Sequence, residues 1–198
     1  MRPTPSRARR AADTLGARPR AVRAGSRRAG CPGRSTVPRV DVHPDVAALA
    51  TLIGSWSGEG EGSYPTIEPF RYREEVVFGH VGKPFLAYRQ ATVNLATGLP
   101  AHAEAGYLRG VAPGRIELVL AHPTGIVELS EGQVLDQPGG LSLHLLSTAV
   151  PRTATAKEVT SVERRLTVSG DTLRYQVSMA AVGQAHQHHL AAELHRQS

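Results

Sequence analysis

Segments of strand length with alternating apolar and polar residues fill most of the chain after residue 53. Segments 115–121, 141–148 and 173–180 place a large apolar residue at nearly every second position. Successive side chains of a strand point to opposite faces, so this period of two predicts strands with one buried face.

Turn-forming residues, such as Pro113-Gly114 and Ser169-Gly170, separate these segments. Together with the glycine-rich stretch 52–67, the predicted strands are 70–78, 85–93, 101–111, 115–121, 125–130, 141–148, 158–168, 173–180 and 187–196. About ten short strands at hairpin spacing predict an all-β fold. We expect an up-and-down antiparallel β-barrel of the lipocalin or fatty-acid-binding kind, with a β-sandwich as the alternative.

One short helix is predicted before the strands. Segment 41–52 has Pro44 near its start and an acidic residue in its first turn. Val46, Leu49 and Ile53 share one face of this helix. It leads directly into the glycine-rich stretch.

The glycine-rich stretch 52–67 contains the chain's one tryptophan, Trp56. Its glycines are Gly54, Gly58, Gly60 and Gly62. Glycine permits bends and close backbone approach, and it leaves one face of a strand without side chains. We interpret the stretch as the first barrel strand, with the indole plugging one end and the glycines leaving room for a guest. A glycine-rich loop beside a core tryptophan is the alternative.

The net positive charge of the chain comes from its N-terminal segment. Residues 1–40 carry eleven Arg and one acid, a net charge of +10, whereas residues 41–198 have a net charge of −4. The first segment has almost no large apolar residues, so we predict a disordered Arg-rich tail over 1–40 and a folded domain over 41–198. A nucleic-acid or membrane arm, a targeting segment and a translated stretch without a role are the alternatives. The last is favoured because no aromatic residue interleaves the arginines.

The single cysteine, Cys31, lies in the predicted tail, so no disulfide can form within the chain. This agrees with a cytoplasmic location. No apolar run approaches the roughly 20 residues that a membrane-spanning helix needs. We therefore expect small-molecule ligands, no membrane and no specific nucleic acid, and a homodimer stays open.

Histidines near the C-terminus form the densest set of candidate ligands. The sequence His-Gln-His-His occupies 186–189, and His195 follows. Neutral imidazole ligates zinc, copper and haem iron. Strand alternation puts His189 on the face of Glu193 and His195, with His188 on the other face. A solvated polar run is the alternative, and a three-His zinc site is weaker because no Asp or Cys reinforces the spacing.

Other candidate chemistry is sparse. Segment 41–198 has no cysteine, no Gly-x-Ser-x-Gly and no phosphate-binding glycine loop. Glu74 and Glu75 point to opposite faces of one strand and so form no glycosidase pair. Lys157 is the one lysine of the second half, a surface amine or a partner for an acidic ligand group. The scattered histidines at 80, 102, 122 and 144 are interpreted as polar strand residues.

Several motifs together resemble the nitrobindin family from about Leu52 to Arg196. They are Gly54-x-Trp56-x-Gly58-x-Gly60, Tyr64-Pro65-Thr66-Ile67, Phe70-x-Tyr72-x-Glu74-Glu75, His80-x-Gly82-Lys83-Pro84-Phe85 and Gln187-His188-His189-Leu190. Gly-x-Trp alone is shared with lipocalin and fatty-acid-binding barrels. The combination with Tyr-Pro-Thr and the terminal His-Leu is far more specific.

The resemblance implies a ten-stranded barrel that holds one haem b per subunit in an open cleft. It implies that His189 is the axial ligand of the haem iron, that Thr66 lies beside the haem, and that Lys157 is a basic residue near its edge. It further implies a peroxynitrite isomerase, with ferric haem turning peroxynitrite into nitrate at an open sixth site and ferrous haem binding nitric oxide. No catalytic residue beyond the haem iron is expected. A non-catalytic carrier of an apolar small molecule is the alternative.

Overall fold

The computed structural model describes residues 40–137 and 139–198. The tail expected over residues 1–40 lies outside the described residues, except for Val40. Within the described part, the chain forms one 3₁₀ helix and ten strands.

Ten antiparallel strands close into a barrel in which each strand pairs with its sequence neighbours and the first pairs with the last. The strands are β1 (Gly54–Tyr64), β2 (Ile67–Gly79), β3 (Phe85–Asn94), β4 (Pro100–Ala112), β5 (Arg115–His122), β6 (Ile126–Gln137), β7 (Gly140–Ala149), β8 (Val159–Ser169), β9 (Thr172–Ala181) and β10 (Gln187–Arg196). The predicted up-and-down barrel is confirmed, and the glycine-rich stretch is strand rather than loop. Strand β6 continues well past residue 130, where the sequence pattern had ended it.

The 3₁₀ helix (Pro44–Leu52) closes one end of the barrel, where it contacts β3, β4 and β7. Its buried residues are Val46, Leu49 and Leu52. They recur every third position, as the threefold 3₁₀ geometry requires. The expected face contained Ile53, which is only half-buried because the helix is 3₁₀ and selects Leu52 instead. No helix among the described residues is long and apolar enough to cross a membrane.

Trp56 seals this closed end, as predicted. Its side chain is 1% exposed, and its indole N–H donates to the carbonyl of Leu52 (2.8 Å). The guanidinium of Arg196 lies 4.1 Å above the centre of the indole ring. Because strand directions alternate, the connections β1–β2, β3–β4, β5–β6, β7–β8 and β9–β10 all lie at the opposite end, which we call the open end.

The glycines of β1 allow neighbouring backbone and side chains to pack closely and do not leave space for a ligand. A methyl group at Gly58 would collide with the backbone carbonyl of Glu193 on β10. The rings of Tyr72 and Phe70 already fill the space over Gly60 and Gly62. The expectation that these glycines leave room for a bound molecule is therefore wrong, because neighbouring aromatic side chains occupy that room.

A layer of charged side chains crosses the barrel interior, and we call it the polar layer. Its carboxylates belong to Glu74, Glu104 and Glu128, which are 1–5% exposed. The guanidinium of Arg164 donates to both Glu104 (Nη2 to Oε2, 2.8 Å) and Glu128 (Nη2 to Oε2, 2.8 Å). Burial alone would raise the pKa of Glu128, but the ion pair with Arg164 outweighs it and holds that pKa below its ordinary value.

Glu74 belongs to the polar layer but has no ion-pair partner among the described residues. Its carboxylate accepts hydrogen bonds from the amide of Gln90 (2.8 Å) and the hydroxyl of Tyr175 (2.6 Å). Tyr72 in turn donates to the hydroxyl of Tyr175 (2.8 Å). Burial raises the pKa of Glu74 from 4.5 to about 7, against the opposing effect of these hydrogen bonds.

We expect Gly58→Ala to destabilise the barrel by about 1–3 kcal/mol, since the new methyl must displace the β10 backbone. Gly79→Ala is the matched control, because a methyl at Gly79 meets nothing within 4 Å and its φ is not positive. Urea unfolding of both variants measures the difference. Equal stabilities for the two would contradict the proposed contact between β1 and β10.

The raised pKa of Glu74 makes the free energy of unfolding fall as pH rises from about 4.5 to about 7. Over that window the unfolded chain releases the Glu74 proton while the folded chain keeps it, which costs about 3 kcal/mol. Glu74→Gln should remove this component of the pH profile. The exposed neighbour Glu75, changed to Gln, should leave it intact. Identical profiles for wild type and Glu74→Gln would contradict the shifted pKa.

Candidate functional site

His189 lies in a β-bulge near the open end of β10. His188 pairs with Ser178 and Leu190 pairs with Val177, so His189 is the extra residue between them. A bulge interrupts the alternation of side chains and re-aims the inserted residue. The prediction that His189 shares a face with Glu193 is therefore wrong in its geometry. His189 is half-buried, whereas His188 and Glu193 are exposed.

The imidazole of His189 is oriented by the end of β1. Its Nδ1 lies 3.1 Å from the backbone carbonyl oxygen of Ser63, so Nδ1 carries the proton and donates it there. The lone pair of Nε2 is consequently available to a ligand. The ring also meets the edge of Tyr64, with centroids 5.4 Å apart, and the Tyr64 hydroxyl accepts from the Ala181 N–H (2.9 Å).

The electrostatics of His189 favour a neutral ring. Burial lowers the pKa of His189, and the hydrogen bond to Ser63 opposes this only in part. The imidazole is thus unprotonated at neutral pH, which is the form that ligates a metal. The position of the His189 ring, its tautomer and its neutral charge therefore all suit a metal ligand.

Thr66 and Lys157 lie at the same open end as His189. Thr66 is exposed in the β1–β2 turn. Lys157 is exposed in the β7–β8 connection, next to Glu158, whose carbonyl accepts the N–H of Val182 (3.0 Å). Among the described residues, no hydrogen bond joins either side chain to His189. The three residues share one end of the barrel.

Two further histidines, His102 and His122, lie between the open end and the polar layer. The Nε2 of His102 lies 3.3 Å from the Nδ1 of His122. His122 lies 3.9 Å from Glu104 and 3.8 Å from Glu128. Burial lowers the pKa of both histidines, while Glu104 raises it in part.

Sequence reasoning missed this internal arrangement. It interpreted His102 and His122 as ordinary strand residues and did not single out Arg164. The sequence did contain a signal for it, namely a polar residue at a position where the alternation of a strand places buried side chains. Glu74, between the buried residues Tyr72 and Val76, is the example. Such a residue must be paired or protonated inside a barrel, because an isolated buried charge is too costly.

The metal-ligating side chains at this site suit a cofactor that itself supplies most of the ligands to its metal. Within the described residues, no group of three or more His, Cys, Asp or Glu side chains is arranged to hold a metal ion. A single neutral imidazole with a free Nε2 is instead the protein's share of a haem site, where the macrocycle supplies the other nitrogens. The surrounding wall includes the apolar side chains of Tyr64 and Leu190. The residues present fit a haem.

Comparisons with known proteins agree with this geometry. Residues 45–196 match the family model described as "THAP4-like, heme-binding beta-barrel domain". The protein named peroxynitrite isomerase 2 of Mycobacterium avium (strain 104) is 57% identical over 157 residues, 79% of this chain and 98% of the relative. The peroxynitrite isomerase of Nocardia farcinica (strain IFM 10152) is 53% identical over 159 residues, 80% of this chain and 95% of the relative.

A solved structure extends the agreement to three dimensions. The crystal structure of Rv2717c from M. tuberculosis superposes with a TM-score of 0.78 at 51% sequence identity, covering 80% of this chain and 100% of that chain. The match therefore includes the whole barrel of the solved structure. The chain belongs to the THAP4-like haem-binding β-barrel family, the nitrobindin family.

Proposed function

We propose that this chain binds one haem b per barrel through His189 and isomerises peroxynitrite to nitrate. The observation that carries the proposal is the His189 imidazole, which is neutral, half-buried and held by Ser63 with Nε2 free. Relatives at 52–57% identity bear the name peroxynitrite isomerase, which supports the same reaction here. When bound, the haem would supply an iron that takes peroxynitrite in its ferric form and nitric oxide in its ferrous form.

The protein's own residues orient the cofactor and take no part in proton transfer. The backbone carbonyl of Ser63 fixes the ring of His189 by accepting a hydrogen bond from its Nδ1–H, and Tyr64 packs against that ring. We assign Thr66 and Lys157 to the haem edge, since both are exposed at the open end. The ammonium of Lys157 would attract a haem propionate, an interaction that salt screens at an exposed site.

The interior argues against the alternative of a lipid carrier. The apolar cavity inside the barrel has a volume of about 40 Å³. A second cavity, of about 530 Å³, is lined in part by charged and polar side chains such as Glu75, Arg89 and Glu104 and so does not suit an apolar molecule. Ligand pockets for drug-sized molecules are typically about 300–1,000 Å³. Arg164, the interior cation that could hold an acidic headgroup, is already engaged by Glu104 and Glu128. A fatty acid would have to break these ion pairs.

We assign the function to a domain spanning residues 41–198 and propose a homodimer and a cytoplasmic location. The outer face of β4 supports the homodimer, because it leaves Tyr107 50% exposed and Val111 42% exposed. The single cysteine, Cys31, suits a reducing compartment.

We expect His189→Ala to weaken hemin binding by about tenfold or more and to abolish the Soret band of the axial complex. His188→Ala is the matched control, since His188 is adjacent but exposed, and it should behave like wild type. Absorption titration with hemin measures both variants. If His188→Ala loses the band and His189→Ala keeps it, the axial assignment is wrong.

The isomerase reaction is tested by stopped-flow absorption of peroxynitrite mixed with the hemin-loaded chain. Its decay rate should rise in proportion to the concentration of wild-type protein, with nitrate as the product. A chain beginning at Asp41 should give the same slope, whereas hemin mixed with His189→Ala should give a much smaller one. Decay that is independent of protein concentration would refute the isomerase proposal and leave haem binding intact.

A further inference from the structure

The cavity inside the barrel is apolar over almost its entire lining. It is walled by buried aliphatic side chains from β2, β5, β7 and β9, among them Val76, Leu118, Leu145 and Leu173. Its volume of about 40 Å³ is roughly three times the ~10–15 Å³ that one water requires. The space is therefore large enough for a molecule of a few heavy atoms.

The exposure of inward-facing residues gives independent support for this cavity. Tyr88, Leu166 and Tyr175 pack against the apolar core, yet each is only half-buried. All three line the cavity, so the surface they retain faces the interior space. A fully packed barrel would have buried them like their neighbour Leu86, which is 0% exposed.

The cavity offers little to water. A buried water needs two to four polar partners. The guanidinium nitrogens of Arg164 are engaged by Glu104 and Glu128, and the Tyr175 hydroxyl is engaged by Glu74 and Tyr72. Among the described residues, the hydroxyl of Tyr88 is the remaining polar group of the lining, and one partner is fewer than a buried water needs. Empty cavities with apolar linings stay dry and take up small apolar guests such as xenon.

The polar layer also selects against anions. Among the described residues of the polar layer, the carboxylates of Glu104 and Glu128 pair with the one guanidinium of Arg164, and Glu74 is a third buried acid. An anion such as peroxynitrite or nitrate would lose its hydration and meet this acidic excess. A neutral molecule loses no ionic hydration and is not repelled by the carboxylates.

The cavity reaches toward the open end. Val177 lines it and pairs with Leu190, which follows His189 in β10. The candidate haem site and the cavity are thus separated by about one pair of strand residues.

We propose that this cavity is a docking site for small neutral gas molecules, with nitric oxide as its ligand. It goes beyond the isomerase function and stands without a bound haem. Neutral nitric oxide would be stored beside the candidate site, whereas anionic peroxynitrite and nitrate would stay at the open end.

The test is ¹²⁹Xe NMR of the full 198-residue chain under xenon pressure, before hemin is added. Wild type should show a saturable, protein-dependent shift. Leu145→Phe should weaken xenon binding by about tenfold or more, since the added ring fills a cavity of this size. Leu146→Phe is the matched control, because Leu146 is adjacent in β7 but 52% exposed, and it should bind xenon like wild type.

Two additions keep the test decisive. Val76→Ile adds one methylene to the lining and should weaken xenon binding even if Leu145→Phe fails to fold. Nitric oxide under anaerobic conditions should displace xenon, and nitrate should not. A shift that does not saturate, or one unchanged in Val76→Ile and Leu145→Phe, would overturn the docking site. Saturable xenon binding without displacement by nitric oxide would overturn the assigned ligand.

Discussion

Closure of β1 on β10 is the constraint on which the rest of the molecule depends. It requires the backbones of two distant segments to meet at Gly58 and Glu193, where no side chain fits between them. Once they meet, no unpaired strand edge remains. The same pairing brings β10 beside the first strand, so that His189 reaches the carbonyl of Ser63.

A ten-stranded barrel encloses more interior than aliphatic side chains alone fill, and this chain divides that interior into zones. Apolar residues and Trp56 fill the closed end, beneath the polar layer. Arg164 holds two of the three interior carboxylates, and Glu74 relies on hydrogen bonds and a raised pKa instead. Each way of satisfying a buried acid avoids an uncompensated charge. The candidate site lies at the other end of the barrel.

Local pattern predicted the fold, because period-two alternation depends on neighbours in sequence. It identified ten strands, the inward residues of β5 and the role of Trp56. It failed where the outcome depends on the pairing register and the side-chain packing of neighbouring strands. The bulge at His189 is visible only in the pairing with β9, and the room over Gly60 is taken by Tyr72 from β2. The choice of His189 came from family resemblance, since alternation alone gave it the wrong face.

The partner of His189 is a peptide carbonyl and not a side chain. A peptide group has no ionisable proton, so the orientation of the imidazole does not vary with pH through its acceptor. Any amino acid at position 63 that keeps this backbone conformation would present the same carbonyl, which excludes proline. The ring's alignment is therefore encoded in the path of the backbone, and mutational drift at that position can proceed without disturbing it.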